Sequence, residues 1–248
     1  MERLHHRAFD ALRPVHITRR FQKGPQGSVL IEMGRTRVIC AATIEDRVPH
    51  FLRGTGTGWL KAEYALLPSA TATRTPREVI RGRQSGRSQE IQRLIGRSLR
   101  AVLDLKALGE RTINVDCDVI EADGGTRTAS VTGAFVAIVE ACASFYQNGG
   151  TFPVTDFAAA ISVGIGASGE PMLDLCYEED SQALVDLNVV MTGGYECIEV
   201  QGTGEGRAYT REELDQMLDL ATTGIDTLIA KQKDALGGEL VWKVGRVG

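Results

Sequence analysis

Hydrophobic and polar positions are ordered most regularly between residues 113 and 146. Polar and apolar residues first alternate up to residue 119, which is the two-residue period of a half-buried strand. Residues 134–145 are then apolar on nearly all sides, a pattern that predicts a buried helix. The polar turn Asp123-Gly124-Gly125-Thr126-Arg127 lies between them, and Asn148-Gly149 is suited to end the helix. We therefore predict a strand, a tight turn and a helix in direct succession.

Apolar runs separated by glycine predict β-hairpins elsewhere in the chain. Residues 28–33 and 37–44 flank the turn Gly34-Arg35-Thr36, and residues 187–192 and 196–203 flank Gly193-Gly194. Residues 158–165 and 172–177 form a further pair of apolar runs, joined by a turn that contains glycine and proline. Both halves of the chain are thus predicted to contain paired strands.

Two further segments have one apolar face at helical spacing. The first begins near Ser88, and the second begins at Thr210, which is placed to form a capping box with Glu213. Residues 69–86 are predicted to be a long polar loop, and residues 1–13 a loosely held polar segment. The Gly-, Asn- and Thr-rich stretch 147–155 predicts a boundary between a first domain, 10–146, and a second, 156–233. Residues 234–248 are a tail, with Trp242 as the residue through which it would dock.

The composition is that of a globular protein, with 43% hydrophobic and 24% charged residues among 248. The five cysteines form no CxxC pair. Cys40, Cys117, Cys176 and Cys197 lie in strand-like runs, where a reduced, buried thiol is expected. The N-terminus has no apolar signal region, and no apolar run is long enough to span a membrane. These features predict a cytoplasmic location.

Positive charge is concentrated between residues 74 and 100, which contain eight arginines, two glutamates and no lysine. The whole chain nevertheless carries a net charge of −4. Arginine favours bidentate contact with phosphate oxygens, so the segment predicts an anionic polymer as partner. Arg93, Arg97 and Arg100 would form one stripe on the predicted helix, where like charges repel. The alternative interpretation is a solvated face neutralised by local acids.

The glycine-containing turn is a candidate anion site. A helix that starts after two glycines presents unpaired N–H groups, and Arg127 adds a planar guanidinium. The hydroxyls of Thr126, Thr128 and Ser130 are candidate donors as well. The turn matches neither the P-loop nor the GxGxxG pattern. An ordinary strand-to-helix turn with a Thr or Ser cap is the alternative.

Asp180 and Asp186 bracket the connection between two predicted strands, so both carboxylates could reach one cleft. Paired carboxylates suit Mg²⁺, although a solvated acidic loop is the simpler alternative on spacing alone. The four histidines all lie within the first 50 residues, and no Ser-His-Asp or Cys-His arrangement stands out. The candidate groups are those that phosphoryl transfer requires, since positioning and charge neutralisation dominate that chemistry.

Several longer stretches give the chain a family resemblance that runs from about residue 10 to residue 233. It resembles the RNase PH and exosome-core family of phosphate-dependent 3′-exoribonucleases. The resemblance implies an α+β, two-layer fold with mixed β-sheets and packed helices, in which two related subdomains form one compact unit. The stretches that carry it include Phe51–Trp59, Glu90–Ala101, Leu108–Ile113, Ala122–Ser130, Asn188–Thr192 and Glu199–Thr203.

The resemblance also implies a reaction and its residues. Inorganic phosphate would attack the last phosphodiester bond of RNA and release a nucleoside diphosphate. Gly125, Thr126 and Arg127 match the family's phosphate-binding loop, and Arg87 matches its second phosphate-contacting arginine. Asp180 and Asp186 match the paired acids assigned to general-acid and Mg²⁺ roles. Arg74 and Arg77 match the loop linked to RNA, and Arg97, on the helical arginine stripe, is a further candidate for RNA contact.

The expected partners are tRNA 3′ ends, with rRNA ends as another substrate, and further copies of the chain in a homohexamer built as a trimer of dimers. Two positions depart from the family pattern. Arg3-Leu4-His5-His6-Arg7 replaces the usual Arg-x-Asp-Gly-Arg, and Glu121 stands where Gln is common. A non-catalytic RNA-binding ring subunit and a metal-dependent hydrolytic nuclease are the rival interpretations.

Overall fold

A computed structural model describes residue 3 and residues 6–146 and 151–245, except for the side chains of Val79 and Arg81. The Asn148-Gly149 pair lies outside the described residues. The strands are β1 Val15–Arg19, β2 Gly27–Met33, β3 Thr36–Glu45, β4 Trp59–Leu66, β5 Thr112–Glu121, β6 Ala158–Ile165, β7 Pro171–Leu173, β8 Val185–Thr192 and β9 Cys197–Thr203. The α-helices are α1 Gly86–Arg100, α2 Leu105–Leu108, α3 Thr126–Phe145, α4 Tyr177–Asp180, α5 Arg211–Leu236 and α6 Gly238–Val241.

The strands form two sheets, one in each half of the chain. The first has five strands in the order β1-β2-β3-β5-β4, and only the β4–β5 pair is parallel. The second has four antiparallel strands in the order β7-β6-β8-β9. Both hairpins and the α+β class predicted from the sequence are confirmed. The predicted domain boundaries at residues 146 and 156 stay a prediction, because one hydrophobic core includes side chains from both sheets.

Helix α3 lies at the centre of this core. It packs against β2 and β3 of the first sheet and against β6 of the second. Its length and apolar composition would suit a membrane span, but 83% of its most apolar stretch is buried inside the protein. The helix is therefore the core helix that the sequence pattern predicted, and it joins the two sheets through one shared hydrophobic surface.

The apolar run at 172–177 does not form the predicted strand. Strand β7 ends at Leu173, because Asp174 adopts a left-handed backbone with φ +55° and its side chain is fully buried. Helix α4 follows, with Cys176 at its N-cap and the Glu179 carboxylate accepting from the Cys176 N–H. Cys176 is therefore buried outside any strand, and Cys197 at the start of β9 is exposed.

Residues 3 and 6–13 of the N-terminal segment are not loosely held, contrary to the prediction. Arg3 is only 6% exposed and forms an ion pair with Glu179, and Arg13 forms another with Asp174. These partners lie more than 160 positions away in the sequence, so hydrophobic periodicity could not reveal them.

The C-terminal tail docks, but through other residues than Trp242, which is 51% exposed. Leu240, Val241 and Val244 pack against the core, and the Gly245 N–H donates to the Val154 carbonyl.

Candidate active site

The turn before α3 has the geometry of an anion site. Gly124 and Gly125 both have left-handed backbone, with φ +74° and +66°. Gly125 is the N-cap of α3 and, having no side chain, cannot cap the first turn itself. The N–H groups of that turn therefore point outward without a helical partner, at the positive end of a 20-residue helix. The alternative interpretation, a Thr or Ser cap, is not what the structure has, since Gly125 is the N-cap; the anion site stays a prediction.

Neighbouring elements fix the position of this turn. The Thr36 hydroxyl donates to the Gly124 carbonyl at 2.6 Å and accepts from the Asp123 N–H at 2.9 Å. The Arg13 guanidinium donates to the Asp123 carbonyl. A Cβ on Gly124 would lie 2.7 Å from the backbone of residues 175 and 176, immediately before α4. The glycine therefore allows the turn and α4 to lie in direct contact.

Two of the three hydroxyls proposed as anion donors serve the helix instead. Thr128 donates to the Gly125 carbonyl at 2.9 Å, and Ser130 to the Thr126 carbonyl at 2.7 Å. The Thr126 hydroxyl pairs with the Tyr64 hydroxyl at 2.8 Å. Helical threonine and serine side chains commonly bond to a carbonyl one turn back, and the sequence pattern did not reveal this competition.

Arg127 is held by two side chains from different elements. Its Nη1 donates to Glu90 Oε1 on α1 at 3.1 Å and to Gln201 Oε1 on β9 at 2.9 Å. Gln201 Nε2 in turn donates to the same Glu90 oxygen at 3.2 Å. Both of these hydrogen bonds come from Nη1, so Glu90 and Gln201 hold the same corner of the guanidinium. Sequence reasoning missed Glu90 and Gln201, although both lie in stretches that carry the family resemblance.

The structure brings Asp180 and Asp186 into one electrostatic cluster, from the end of α4 and the start of β8 rather than from two strand ends. Burial raises the pKa of Asp186 to about 6, with a further contribution from the negative charge of Asp180. Burial also raises the pKa of Asp180, against the opposing charges of Arg127 and Arg87. Glu205, which the sequence did not suggest, adds negative charge to both carboxyl groups.

The same cluster includes Arg87 and Tyr64. Both Arg87 and Arg127 favour ionisation of the Tyr64 hydroxyl, although burial dominates and raises its pKa. No local pattern indicated a role for Tyr64, because it lies in the alternating strand β4 like any core residue. One cluster thus contains residues of the predicted phosphate loop together with the two arginines and the two acids.

Two of the three candidate RNA-binding arginines, Arg77 and Arg97, line clefts that contain residues of this cluster or partners of Arg127. Arg97 and Arg93 line a cleft of about 320 Å³ that also contains Glu90 and Gln201, the partners of Arg127. Arg77 lines a second cleft, of about 530 Å³, together with Tyr64. Arg74 is exposed on the loop between β4 and α1.

The predicted arginine stripe on α1 is partly neutralised within the chain. Arg97 forms a bidentate ion pair with Glu199 on β9. Arg100 donates to the Leu60 carbonyl at 2.9 Å and lies 4.5 Å from the centre of the Trp59 ring. The repulsion that suggested an external anion is therefore relieved by local contacts, and RNA contact by Arg97 stays a prediction.

Glu121 also has partners within the chain. Its carboxylate lies 3.6 Å from Arg35 Nε and 3.5 Å from Arg37 Nη1, so its charge is compensated at the end of β5.

Comparison with known proteins places this geometry in a family. Residues 11–143 match domain 1 of the 3′ exoribonuclease family, and residues 156–224 match domain 2. The chain belongs to the 3′ exoribonuclease family. It is 61% identical over 239 residues to ribonuclease PH of Syntrophomonas wolfei, covering 96% of this chain and 100% of that protein. It is 58% identical over 247 residues to ribonuclease PH of Moorella thermoacetica, covering 99% and 98%.

Two solved structures share the fold at lower identity. The Archaeoglobus fulgidus exosome with RNA bound to the active site matches with TM-score 0.80 and 24% identity, covering 94% of this chain and 93% of that one. Rice Rrp46 matches with TM-score 0.78 and 18% identity, covering 94% and 99%. The family membership and the high identity to ribonucleases PH make this chain a phosphate-dependent 3′ exoribonuclease, which confirms the activity that the resemblance predicted.

Proposed function

We propose that the cluster around Arg127 is the active site, where inorganic phosphate attacks the terminal phosphodiester bond of an RNA 3′ end. Phosphate would lie against the first-turn N–H groups of Gly125, Thr126 and Arg127, with the guanidinium of Arg87 on its other side. The observation that supports this most directly is that the positive charges of Arg87 and Arg127 both act on the half-buried Asp180 and Asp186 carboxyl groups. The attacking phosphate, the two arginine charges and the two carboxyl groups would then all lie within one site.

The proposed reaction balances as follows. A phosphate oxygen forms a bond to the phosphorus of the last nucleotide, and the bond from that phosphorus to the 3′ oxygen of the preceding ribose breaks. The products are a nucleoside diphosphate and an RNA shortened by one residue, whose 3′ oxygen takes up a proton. A carboxyl group with a pKa of about 6, as at Asp186, can hold a proton near neutral pH. We assign the general-acid role to the Asp180–Asp186 pair.

The same two acids are the residues that would hold Mg²⁺. Oxygen ligands and incomplete protein coordination suit this ion, because phosphate oxygens commonly supply the remaining ligands. Within residues 3, 6–146 and 151–245, no three His, Cys, Asp or Glu side chains cluster as a complete metal site. The mutual repulsion of the two carboxylates is a second reason for the fit, since a cation would relieve it. When bound, Mg²⁺ would supply positive charge to the transferring phosphoryl group.

The substrates that we propose are tRNA 3′ ends, and rRNA ends as well, with Arg74, Arg77 and Arg97 contacting the RNA backbone. The similar Archaeoglobus fulgidus exosome has RNA bound to its active site, and another similar structure is an archaeal exosome core. Together with the family membership, they support assembly into a ring, and we propose a homohexamer in the cytoplasm.

An assay with and without phosphate tests the reaction. The protein is incubated with a tRNA that carries extra 3′ residues, in the presence of Mg²⁺, and the released mononucleotides are identified. We expect nucleoside diphosphates only when phosphate is present. Nucleoside monophosphates in the absence of phosphate would instead show a hydrolytic nuclease, and RNA binding with no release would show a non-catalytic ring subunit.

Arg127→Ala tests the phosphate site itself. We expect a loss of phosphorolysis of about 100-fold or more, because the attacking phosphate loses the guanidinium charge that would hold it beside the two acids. RNA binding at low salt should persist. Arg211→Ala is a matched control, since Arg211 also pairs with a carboxylate, Asp215 at 3.0 Å, but on the exposed surface of α5. Equal loss of RNA binding and phosphorolysis in Arg127→Ala would contradict a dedicated phosphate role.

A further inference from the structure

Three arginines near the N-terminus converge on two buried acids that the proposed reaction does not use. Asp174 is fully buried and Glu179 is 8% exposed. Arg3 makes a bidentate pair with Glu179, at 2.8 and 3.0 Å. Arg13 makes a bidentate pair with Asp174, at 3.0 and 2.7 Å. Each acid therefore already has one arginine of its own.

The two acids bracket the short segment that ends at Asp180. Asp174 begins it with left-handed backbone, and its carbonyl also accepts from Arg3 at 3.1 Å. Glu179 is the residue directly before Asp180 and caps α4 by accepting from the Cys176 N–H at 3.0 Å. The Asp180 N–H bonds to the Cys176 carbonyl at 2.9 Å. The direction of the Asp180 side chain thus depends on how this one turn of helix is held.

Arg7 is the arginine that joins the two pairs. Its Nη1 lies 3.2 Å from Asp174 Oδ2, and its Nη2 lies 2.7 Å from Glu179 Oε2. Nη2 also donates to the Asp174 carbonyl at 2.8 Å. In the described part of the chain, Arg7 is the arginine whose hydrogen bonds reach both carboxylates. Its side chain is 12% exposed.

Charge balance alone does not explain Arg7. Two arginines already neutralise the two acids, and burying a third cation has a desolvation cost that only good geometry offsets. What Arg7 adds is a rigid planar fork between the start and the end of the 174–179 segment. A guanidinium holds several acceptors at fixed directions, which an ammonium cannot do.

We propose that Arg7 is a positioning residue for cleavage, which sets the orientation of α4 and so of Asp180. The inference rests on the proposed role of Asp180 in the reaction. It also gives a function to the second arginine of the N-terminal Arg3–Arg7 segment, although residues 5 and 6 of that segment differ from the family pattern. Arg7 acts through α4 and not on the RNA or the phosphate.

Arg7→Gln is the variant that separates positioning from folding, because Arg3–Glu179 and Arg13–Asp174 remain as two balanced pairs. We expect kcat for phosphorolysis to fall about 10- to 100-fold, since small displacements of a catalytic group have effects of this size. The KM for phosphate should stay within about twofold, because the turn at Gly125–Arg127 is held by other contacts. The urea midpoint and the elution volume report whether the variant is folded and assembled.

Arg20→Gln is the matched control, with the same substitution in the same part of the chain. Arg20 has an 82% exposed side chain and a single carboxylate at 3.6 Å, from Glu140. It should retain the wild-type kcat. Arg7→Lys keeps the charge without the fork, so its kcat should also fall, and wild-type activity in this variant would overturn the proposal.

Asp180→Asn separates the positioning role of Arg7 from the proposed role of Asp180 in the reaction. Loss of activity in Asp180→Asn with full activity in a folded Arg7→Gln would overturn the positioning role and leave the proposed function intact. Full activity in Asp180→Asn would overturn the proposed role of Asp180 itself. If Arg7→Gln lowers kcat and raises the KM for phosphate by a similarly large factor, the whole site has become less ordered. That result would also overturn the proposal.

Discussion

Gly124 is the position at which a single methyl group should disturb both the fold and the site. Its φ of +74° is strained for any residue with a Cβ. An added Cβ would also lie 2.7 Å from the Leu175 carbonyl oxygen and the Cys176 carbonyl carbon, and 2.8 Å from the Tyr177 nitrogen. All three atoms are backbone, so the contact cannot be relieved by rotating a side chain. Gly124→Ala must move the turn, the segment before α4, or both.

The magnitude follows from two separate terms. Left-handed backbone costs about 1–2 kcal/mol for a residue other than glycine. Forcing extra volume into a tightly packed place typically costs about 1–3 kcal/mol more. We therefore expect Gly124→Ala to lower the free energy of unfolding by about 2–5 kcal/mol, which most domains survive at 25 °C.

Gly54→Ala measures the cost of left-handed backbone alone. Gly54 has nearly the same φ, +77°, but nothing lies within 4 Å of the position of its Cβ. Urea unfolding of both variants should show that Gly124→Ala loses about 1–3 kcal/mol more than Gly54→Ala.

The folded fraction of Gly124→Ala should also have a reduced kcat, since the turn carrying Arg127 is pushed away from α4 and Asp180. Equal destabilisation by the two glycine variants would show that a Cβ at position 124 meets no costly contact with the backbone of residues 175–177, contrary to our expectation.

Two further predictions concern pH and salt. Burial alone would raise the pKa of Asp174, but the hydrogen bonds and charge of Arg13 outweigh it and lower that pKa. Because the folded-state pKa lies below the unfolded value of about 3.9, the ionised carboxylate stabilises the fold above that pH and loses its contribution as the pH falls further. Urea unfolding of Asp174→Asn should therefore show lower stability at pH 7 than the wild type, but a shallower loss of stability as the pH falls below about 4; parallel curves would contradict this. Arg74→Ala should weaken RNA binding and reduce the slope of log K against log salt by about 0.7, and filter binding at several salt concentrations would expose an unchanged slope.

Local pattern was enough for the secondary structure around α3. Alternation through residue 119, the two glycines and the apolar run to residue 145 predicted β5, the turn and the core helix, because these depend on neighbours within a few positions. The same is true of the capping box at Thr210 and Glu213, which the structure confirms. The family resemblance then suggested which polar residues to consider for the site.

The N-terminal arginines and α4 could not be predicted in this way. Residues 172–177 have the composition of a strand, but a buried Asp174 with three arginines nearby ends the strand and starts a helix turn instead. Arg3 and Glu179 are 176 positions apart, and no periodicity relates such residues. Long-range ion pairs overrode the local preference here, as tertiary contacts commonly do.

The amino-acid sequence by itself determined the hairpins, the long helices, the glycine turn and the types of chemical group available to the site. Only the tertiary structure decided how those groups are held: Arg127 between Glu90 and Gln201, and Asp180 at the end of a helix turn whose Glu179 pairs with Arg3 and Arg7. The physical reason is that a carboxylate or guanidinium is oriented by partners on other elements, whereas a turn or an amphipathic helix is specified by adjacent residues.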